Sequence, residues 1–217
     1  MKHKLFDILG DLGFPFAGVF QVGANIGQEV EVFRAYGVER AVMVEPLDAA
    51  FAELCGAIGG DGRYLPVQAL CSDREGLELD FFEASNSQSS SMLAPTGHLQ
   101  EYPKIRFAEP RKICSTTADA IVEGLAGAPG GFSFESFDVL FLDTQGSELQ
   151  VMQGARRLLQ HVRSIWTEVS CELYDGAAEL EDIQAWLRPF GFRLNTLKMN
   201  THGWGDALFV KRASRFL

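Results

Sequence analysis

Short apolar runs alternate along the chain with longer segments in which apolar residues recur at helical spacing. The short runs are rich in β-branched and aromatic residues, and they are apolar at successive positions. Strands that helices cover on both faces need such runs, because neither side of the strand meets water. The pattern predicts strands at residues 18–23, 40–46, 63–70, 137–143 and 163–169.

Amphipathic helices are predicted between several of these strands. Val30 and Phe33 have helical spacing after the first strand, and apolar residues repeat every three or four positions over 147–159 after the fourth. Ser147 and Gln150 could open this second helix as a capping box, in which each side chain bonds to the backbone beside the other.

The end of the chain predicts a helix over 181–190, which ends near Pro189, and two closing strands at 191–197 and 205–212 with a polar turn between them. Strands that alternate with helices form parallel sheets, because each crossover helix returns the chain to the same end of the sheet. We therefore expect an α/β fold with a doubly wound, mostly parallel sheet.

One region interrupts this alternation. It contains a strand-like segment at 77–84, a serine-rich segment at 85–92 and a loop-like segment at 94–112, which together are too irregular for one crossover helix. We interpret about 74–112 as an insertion into a single domain that spans residues 1–217, lying over the active edge of the sheet. The serine-rich segment has a second interpretation as a flexible loop in solvent.

Composition and charge narrow the class of protein. The chain has 217 residues, of which 47% are apolar and 22% charged, which suits one globular domain with a full core. Its formal net charge of −10 argues against nucleic acid or an anionic membrane as the main partner, because both would repel it. Asp7 and Asp11 interrupt the apolar residues near the amino terminus, so we predict no leader and no membrane anchor, hence a cytoplasmic protein.

Cysteines and histidines give no support to a metal site or a disulfide framework. The cysteines have no CxxC spacing and the histidines have no ligand spacing, so no metal is predicted and the thiols are expected to be buried. These residues are Cys55, Cys71, Cys114, Cys171, His3, His98, His161 and His202.

The turn after the first strand points to a ligand. In such sheets, ligands lie beyond the carboxyl ends of the strands, and the turn after strand one forms the floor of the site. A dinucleotide turn has the pattern GxGxxG, whereas here Gly23 is followed by Asn25, Gly27 and Gln28, and Glu29 adds a negative charge. A pyrophosphate would be repelled. A ligand without phosphate and with a positive centre would not, and S-adenosylmethionine is the common one.

The next two strands offer contacts for the rest of such a ligand. Glu45 ends the second strand, where a carboxylate can accept both hydroxyls of a ribose; the alternative is a surface carboxylate. Ser72 and Asp73 follow the third strand, where they could contact the adenine amine, or could simply start a turn.

Transfer of a methyl group to an oxygen requires an aligned acceptor and a base. Asp143, at the end of the fourth strand, is the best-placed carboxylate, either to hold the methionine amine or to order the acceptor hydroxyl, and Glu168 closes the fifth strand at the same edge. His202 is an alternative base, and Glu148 has a competing explanation in the helix dipole. Candidate acceptor contacts are Gln145, Ser90, Ser91 and Trp204.

Several segments resemble a known family. "VGANIGQE" (22–29), "VEP" (44–46), "CSD" (71–73), "SSSM" (89–92), and above all "FDVLFLDTQGSELQVMQGARRLL" (137–159) followed by "IWTEV" (165–169), are similar to FkbM-type methyltransferases, a branch of the class I S-adenosylmethionine-dependent enzymes. The resemblance extends over about residues 18–212. It adds Ala24 and Pro46 to the cofactor-binding candidates, because they lie within the matching motifs.

The resemblance implies a Rossmann-like, seven-stranded sheet with its last strand antiparallel. It also implies S-adenosylmethionine as the cofactor and O-methylation of a hydroxyl on a glycan or other small molecule. Two alternatives stay open: a catalytically silent protein that binds S-adenosylmethionine, and an NAD(P)-dependent oxidoreductase, which the missing GxGxxG pattern disfavours. The sequence gives no prediction of oligomeric state.

Overall fold

A computed structural model describes residues 3–127, 131–170, 173–201 and 203–211, in which ten strands and eight helices are assigned. The strands are β1 Gly18–Val22, β2 Arg40–Val44, β3 Tyr64–Val67, β4 Leu70–Cys71, β5 Glu78–Phe81, β6 Arg111–Thr116, β7 Val139–Leu142, β8 Ser164–Ser170, β9 Phe192–Met199 and β10 Trp204–Lys211. The helices are α1 His3–Asp11, α2 Val30–Ala35, α3 Asp48–Ile58, α4 Thr96–Glu101, α5 Ala118–Gly124, α6 Glu148–Gln153, α7 Leu158–His161 and α8 Leu180–Leu187.

Seven of the strands form one sheet in the order β3-β2-β1-β7-β8-β10-β9. The pairs from β3 to β8 are parallel, and β10 is antiparallel to both of its neighbours. This confirms the predicted doubly wound, mostly parallel sheet with its last strand antiparallel. The chain winds outward from β1 through β2 to β3 and then returns to β7 on the other side of β1, so the strand order reverses beside β1. Ligands bind at such a reversal.

The sheet separates two apolar layers. Alternate residues of β1, β2 and β7 point to opposite faces, so that Phe20 and Leu140 belong to one layer while Val19 and Phe141 belong to the other. Every residue of β1 and β7 is buried. This double burial explains why these strands are apolar at successive positions.

The third predicted strand divides between two sheets. Residues 63–70 were expected to form one strand, but β3 ends at Val67, and β4 belongs to a second sheet with the order β4-β6-β5. The pairing with β6 of the second sheet continues at Ser72, because its backbone N–H donates to the carbonyl oxygen of Thr116 at 2.8 Å. The apolar pattern could not show the division, because both short strands are apolar.

The inserted region is more regular than predicted. β5 lies within the expected strand, but α4 lies in the segment that was expected to be loop-like, and β6 begins at the end of that segment. β6 has only one buried residue, Ser115, and therefore lacks an apolar signal. The interpretation of the serine-rich segment as a flexible solvent loop is wrong, because Ser89 and Ser91 are buried and Ser91 pairs with Phe82.

The predicted helix at 147–159 is interrupted at Gly154 and forms α6 and α7 instead. A Cβ atom on Gly154 would lie 2.1 Å from the carbonyl oxygen of Ser72, so the interruption lets the end of β4 pack closely. The expected capping box at Ser147 is also wrong, since the Ser147 hydroxyl donates to the carbonyl oxygen of Thr144 at 3.0 Å.

The prediction of buried thiols holds for Cys71 and is wrong for Cys55 and Cys114, which are exposed; Cys171 lies outside the described residues. Burial raises the pKa of the Cys71 thiol to about 12. Among the helices that the structure describes, none has the length and apolar character needed to cross a bilayer.

Candidate active site

A cavity of about 590 Å³ opens at the carboxyl ends of the central strands. Its volume is in the range of sites that enclose a small organic ligand. The strand ends supply the floor and one wall, and the inserted region supplies the roof. The floor and wall residues include Gly23, Asn25, Gln28, Glu45, Pro46, Asp143, Gln145, Glu168, Trp204 and Asp206, and the roof includes Asn86–Ser90, His98, Tyr102 and Ile105.

The turn after β1 brings backbone close to the cavity. Gly23 has φ +80°, and a Cβ atom there would lie 1.9 Å from the carbonyl oxygen of Asp143, so only glycine fits. Asn25 also has a positive φ, of 47°, and its side-chain oxygen accepts a 3.0 Å hydrogen bond from the hydroxyl of Ser87 in the roof. The turn therefore contacts the insertion directly as well as the ligand space.

Glu45 is fixed at the end of β2. One carboxylate oxygen accepts from the backbone N–H of Asn25 and the other from that of Leu47, both at 2.9 Å. The side chain is buried, and this burial raises its pKa to about 7, helped by the negative charge of Asp143 and opposed by the two backbone hydrogen bonds. Each oxygen keeps a lone pair for a further donor, such as a ribose hydroxyl.

Gln145 connects the carboxyl groups at the ends of β7 and β8. Its amide nitrogen donates to Asp143 and to Glu168, both at 3.0 Å, and its amide oxygen lies 2.9 Å from the hydroxyl of Tyr174. Gln145 has φ +55°, an uncommon backbone conformation for a side chain of this size. The hydroxyl of Ser91 donates to the Gln145 carbonyl oxygen at 2.8 Å, which helps to hold that conformation.

The carboxyl groups of Glu168 and Asp143 lie within hydrogen-bonding contact of each other, an arrangement that favours one shared proton. Burial raises the pKa of Glu168 well above its usual range, and the charges of Asp143, Glu148 and Asp206 raise it further. Asp206 lies opposite Glu168 in the β8–β10 pair and faces the same cavity. A positive charge placed beside these groups would favour their ionised forms.

The charges around the cavity are of one sign. Glu45, Asp143, Glu168 and Asp206 line it, and its walls contain no lysine or arginine within the described part of the chain. Phosphate groups are usually bound by lysine, by arginine or by a helix amino terminus. This acidic lining instead attracts a positively charged ligand.

This geometry agrees with the match of the sequence to a family profile. Residues 21–194 match the family described as the methyltransferase FkbM domain. The chain belongs to this family. Its membership favours a methyltransferase over an NAD(P)-dependent oxidoreductase, in agreement with the absence of a pyrophosphate-binding turn.

A curated relative carries a more specific name. The 2-O-methyltransferase NoeI of Sinorhizobium fredii (strain NBRC 101917 / NGR234) is 29% identical over 178 residues, which cover 78% of this chain and 70% of the relative.

Solved structures share the fold at low sequence identity. Sp1610 of Streptococcus pneumoniae, whose proposed activity is tRNA (m1A22) methylation and which was solved with S-adenosyl-L-methionine, has a TM-score of 0.52 at 12% identity, over 96% of this chain and 72% of its own. PH1948 of Pyrococcus horikoshii, a proposed RNA methyltransferase, has a TM-score of 0.50 at 11% identity, over 98% and 82%. At these identities the likeness shows the Rossmann-like methyltransferase fold alone.

S-adenosylmethionine is the cofactor of this FkbM methyltransferase, and it supplies a methyl group bound to a positively charged sulfur. The cavity fits such a ligand, because its lining is acidic, the described lining residues include no lysine or arginine that could bind a phosphate, and Glu45 presents carboxylate oxygens at the end of β2.

Not every predicted site residue lines the cavity. Ala24, Gly27 and Ser91 lie behind it: Ala24 donates its N–H to the carbonyl oxygen of Val44, and Gly27 packs against α3, where a Cβ atom would lie 3.0 Å from that of Ala57. Ser72 and Asp73 also lie outside the lining, with their side chains 3.3 Å apart, while Ala69–Cys71 reach the cavity in their place. His202 lies outside the described residues.

Sequence reasoning missed several polar residues of the site, among them His98 and Asp206. His98 stands in a segment that has no strand or helix pattern, and its place in the cavity depends on how the insertion folds. Asp206 could have been recognised from the sequence. A carboxylate within the apolar strand β10 has a free-energy cost, so its presence there suggests a function.

Glu148 lies behind the cavity and shapes the loop after β7. One of its carboxylate oxygens accepts from the backbone N–H of Thr144 at 2.8 Å and of Gly146 at 3.3 Å. Burial raises its pKa to about 7. These contacts give Glu148 a structural role and account for its position in the first turn of α6.

Proposed function

We propose that this FkbM methyltransferase O-methylates a hydroxyl group of a glycan or another small molecule, with S-adenosylmethionine as the methyl donor. The observation that carries the proposal is the two-sided cavity, with an acidic floor on the strand ends and a roof of hydroxyl and aromatic side chains. The name of the relative NoeI, a 2-O-methyltransferase, supports oxygen as the methylated atom.

The cofactor is assigned to the side of the cavity below β1 and β2. Glu45 would accept the ribose hydroxyls, and the turn with Gly23, Asn25 and Gln28 would lie along the ligand. Leu70 and Phe81 offer apolar surface for the adenine ring. Contacts of Ser72 and Asp73 with the adenine amine stay predictions, because their neighbours reach the cavity instead.

Asp143 and Glu168 are assigned to the cationic end of the cofactor. A positive charge beside this pair would release the proton that they share, and the resulting carboxylates would hold the amine and orient the donor. Preorganised charge of this kind acts strongly where water is excluded. His202 stays a predicted alternative base.

The acceptor is assigned to the roof. Trp204 in β10 donates its indole N–H to the Tyr102 hydroxyl at 2.8 Å, which joins the sheet to the insertion across the cavity. Ser87, Gln88 and Ser90 add hydrogen-bonding groups nearby. Aromatic faces together with hydroxyl and amide groups suit a sugar or a similar polar small molecule.

A methyl-transfer assay tests the proposal. Purified protein is incubated with methyl-labelled S-adenosylmethionine and pooled acceptors: oligosaccharides, hydroxylated polyketides, and RNA as the contrasting class. Label is expected in the glycan or small-molecule pool as an ether that survives mild base, and Asp143→Asn should reduce transfer at least about 100-fold. Cofactor binding without transfer to any acceptor would instead support a catalytically silent binding protein, and transfer to RNA would contradict the acceptor class.

The choice of a small-molecule acceptor over nucleic acid also rests on charge. The net charge of −10, and a lining without lysine or arginine among the residues that the structure describes, support a small-molecule acceptor over nucleic acid. Cytoplasmic location and the single-domain organisation stay predictions.

A further inference from the structure

His98 is a residue of the roof with a ring nitrogen that has no hydrogen-bond partner among the described residues. It lies on α4, is 3% exposed and lines the cavity. Its backbone N–H donates to the carbonyl oxygen of Leu173 at 2.8 Å, which anchors this part of the insertion to the segment after β8.

The ring of His98 is held by aromatic packing. The ring centroids of Tyr102, Phe107 and Tyr174 lie 4.9, 5.5 and 5.5 Å from that of His98. The hydroxyl of Tyr174 also contacts Gln145. The His98 ring that packs on Tyr174 is therefore fixed relative to the carboxyl groups on the floor. Packing on several sides restricts the ring to one orientation, as positioning of a reactive group requires.

A ring nitrogen of this side chain lacks a partner. Nδ1 is buried and forms no hydrogen bond with any residue that the structure describes. A buried polar atom without a partner has a free-energy cost, and a fourth aromatic carbon ring would avoid it. The site therefore contains an imidazole where packing alone would favour phenylalanine.

We infer that His98 is a catalytic residue, and that its Nε2, the ring nitrogen other than the enclosed Nδ1, accepts the proton of the acceptor hydroxyl during methyl transfer. This inference rests on the proposed O-methylation. The acceptor oxygen forms the new bond to the methyl carbon, the bond from that carbon to sulfur breaks and its electron pair remains on sulfur, and the hydroxyl proton passes to the imidazole. The resulting imidazolium then loses the proton to solvent.

The carboxyl groups are less suited to this task. Asp143 and Glu168 already share a hydrogen bond and are both bound by Gln145, and they lie on the floor where the cofactor's positive charge is assigned. His98 comes from the insertion, on the acceptor side. Burial lowers its pKa, which keeps the imidazole neutral and able to accept a proton at neutral pH.

Other titratable groups surround this ring, and a pH profile must separate them. Tyr102, directly after α4, and Tyr174, after β8, contact it. Glu101 is the last residue of α4, and the carboxyl groups of Asp143, Glu168 and Asp206 line the cavity. His98→Gln removes the base and keeps a polar side chain. His161→Gln is the matched control, because His161 lies on α7 beside Glu135, away from the cavity.

The experiment compares kcat, KM and cofactor binding of the wild-type protein and both variants across pH. His98→Gln should lower kcat at least about 100-fold with less than about threefold change in the Kd of S-adenosylmethionine, and should remove the decline of kcat toward acid pH. His161→Gln should behave as wild type. If His98→Gln keeps kcat within about threefold of wild type, the inference is wrong while the proposed function stands.

A second measurement does not depend on turnover or on folding of a variant. NMR of histidine-labelled wild-type protein with S-adenosylhomocysteine should show a neutral His98 ring at pH 7. A protonated ring would overturn the inference, because an imidazolium cannot accept a proton. If wild type binds the cofactor and methylates no hydroxyl acceptor, the proposed function fails first, and this inference fails with it.

Discussion

At the scale of single residues, we expect Glu45, the proposed ribose ligand, to make cofactor binding dependent on pH. Its pKa of about 7 means that the carboxylate is ionised above neutral pH and protonated below it. A protonated carboxyl loses acceptor capacity for ribose hydroxyls, so binding should weaken as pH falls. The Kd of S-adenosylmethionine, measured by calorimetry, should rise about tenfold from pH 8 to pH 6.

The variant Glu45→Gln separates this residue from the other carboxyl groups. It should bind the cofactor about tenfold more weakly at pH 8, because a charge-assisted hydrogen bond is lost, and should show a smaller rise in Kd toward pH 6. An unchanged Kd in this variant would show that the ribose does not contact Glu45.

Gly23 and Gly37 provide a second comparison at the residue scale. Both have a positive φ, of 80° and 73°, but a Cβ atom meets the Asp143 carbonyl oxygen at 1.9 Å only at Gly23, whereas nothing lies within 4 Å at Gly37. Gly37→Ala should lower the free energy of unfolding by about 1 kcal/mol through backbone strain alone. Gly23→Ala should cost at least about 2 kcal/mol more, because β1 and β7 must separate.

Urea denaturation measures both variants, and cofactor binding is measured on the folded fraction. Gly23→Ala should abolish binding while Gly37→Ala leaves it intact, since only the first glycine lies in the floor of the cavity. Equal losses of stability would contradict the close approach of β1 to β7.

At the scale of elements, Glu148 holds the loop between β7 and α6 at a cost that depends on pH. Its pKa is about 7 in the folded protein against 4.5 for an ordinary glutamate. A raised pKa means that stability from this group is fully present below about pH 4.5 and is lost as pH rises to about 7. Above that pH the folded protein carries a constant penalty of up to about 3 kcal/mol.

The variant Glu148→Gln tests whether the buried charge of Glu148 destabilises the folded protein above neutral pH. One oxygen accepts both backbone hydrogen bonds, so glutamine can replace them without the charge. We expect a higher Tm than wild type at pH 8 and little difference at pH 4.5. Glu148→Ala is the control, and should lose about 1–3 kcal/mol at both pH values because two buried N–H groups lose their acceptor. A lower Tm for Glu148→Gln at pH 8 would contradict the raised pKa.

The sequence predicted the elements of the main sheet better than those of the insertion. β1, β2, β7 and β8 are buried on both faces, and this burial imposes apolar residues that can be recognised directly. β6 is mostly exposed, so contacts with β5 determine its structure and its own side chains give no apolar pattern. The helix break at Gly154 likewise depends on a distant partner, the carbonyl of Ser72.

The same distinction applies to the site. Residues at the ends of core strands, such as Glu45, Asp143 and Glu168, could be named because a parallel sheet brings all of these ends to one edge. His98 reaches the cavity only through the fold of the insertion, which short-range patterns do not encode. Ser91 was placed in the acceptor site, but its hydroxyl bonds to the backbone of Gln145 instead.

At the scale of the whole molecule, we expect charge to determine which adenosine ligands bind. A net charge of −10 and a cavity lined by carboxyl groups, without lysine or arginine in the part that the structure describes, oppose every anionic nucleotide. S-adenosylmethionine should bind with micromolar Kd, whereas NADH and ADP, which share its adenosine portion, should show no binding up to about 1 mM. Calorimetry at low salt is the stringent test, because screening is then weakest.

The product supplies the matched comparison, since S-adenosylhomocysteine differs by one methyl group and by the positive charge on sulfur. If the acidic floor recognises that charge, S-adenosylmethionine should bind about three- to tenfold more tightly at pH 8. The preference should shrink in Asp143→Asn and toward pH 6, as the carboxyl groups near the sulfur gain protons. Equal affinities at pH 8, or binding of NADH, would show that shape rather than charge determines which adenosine ligand the cavity accepts.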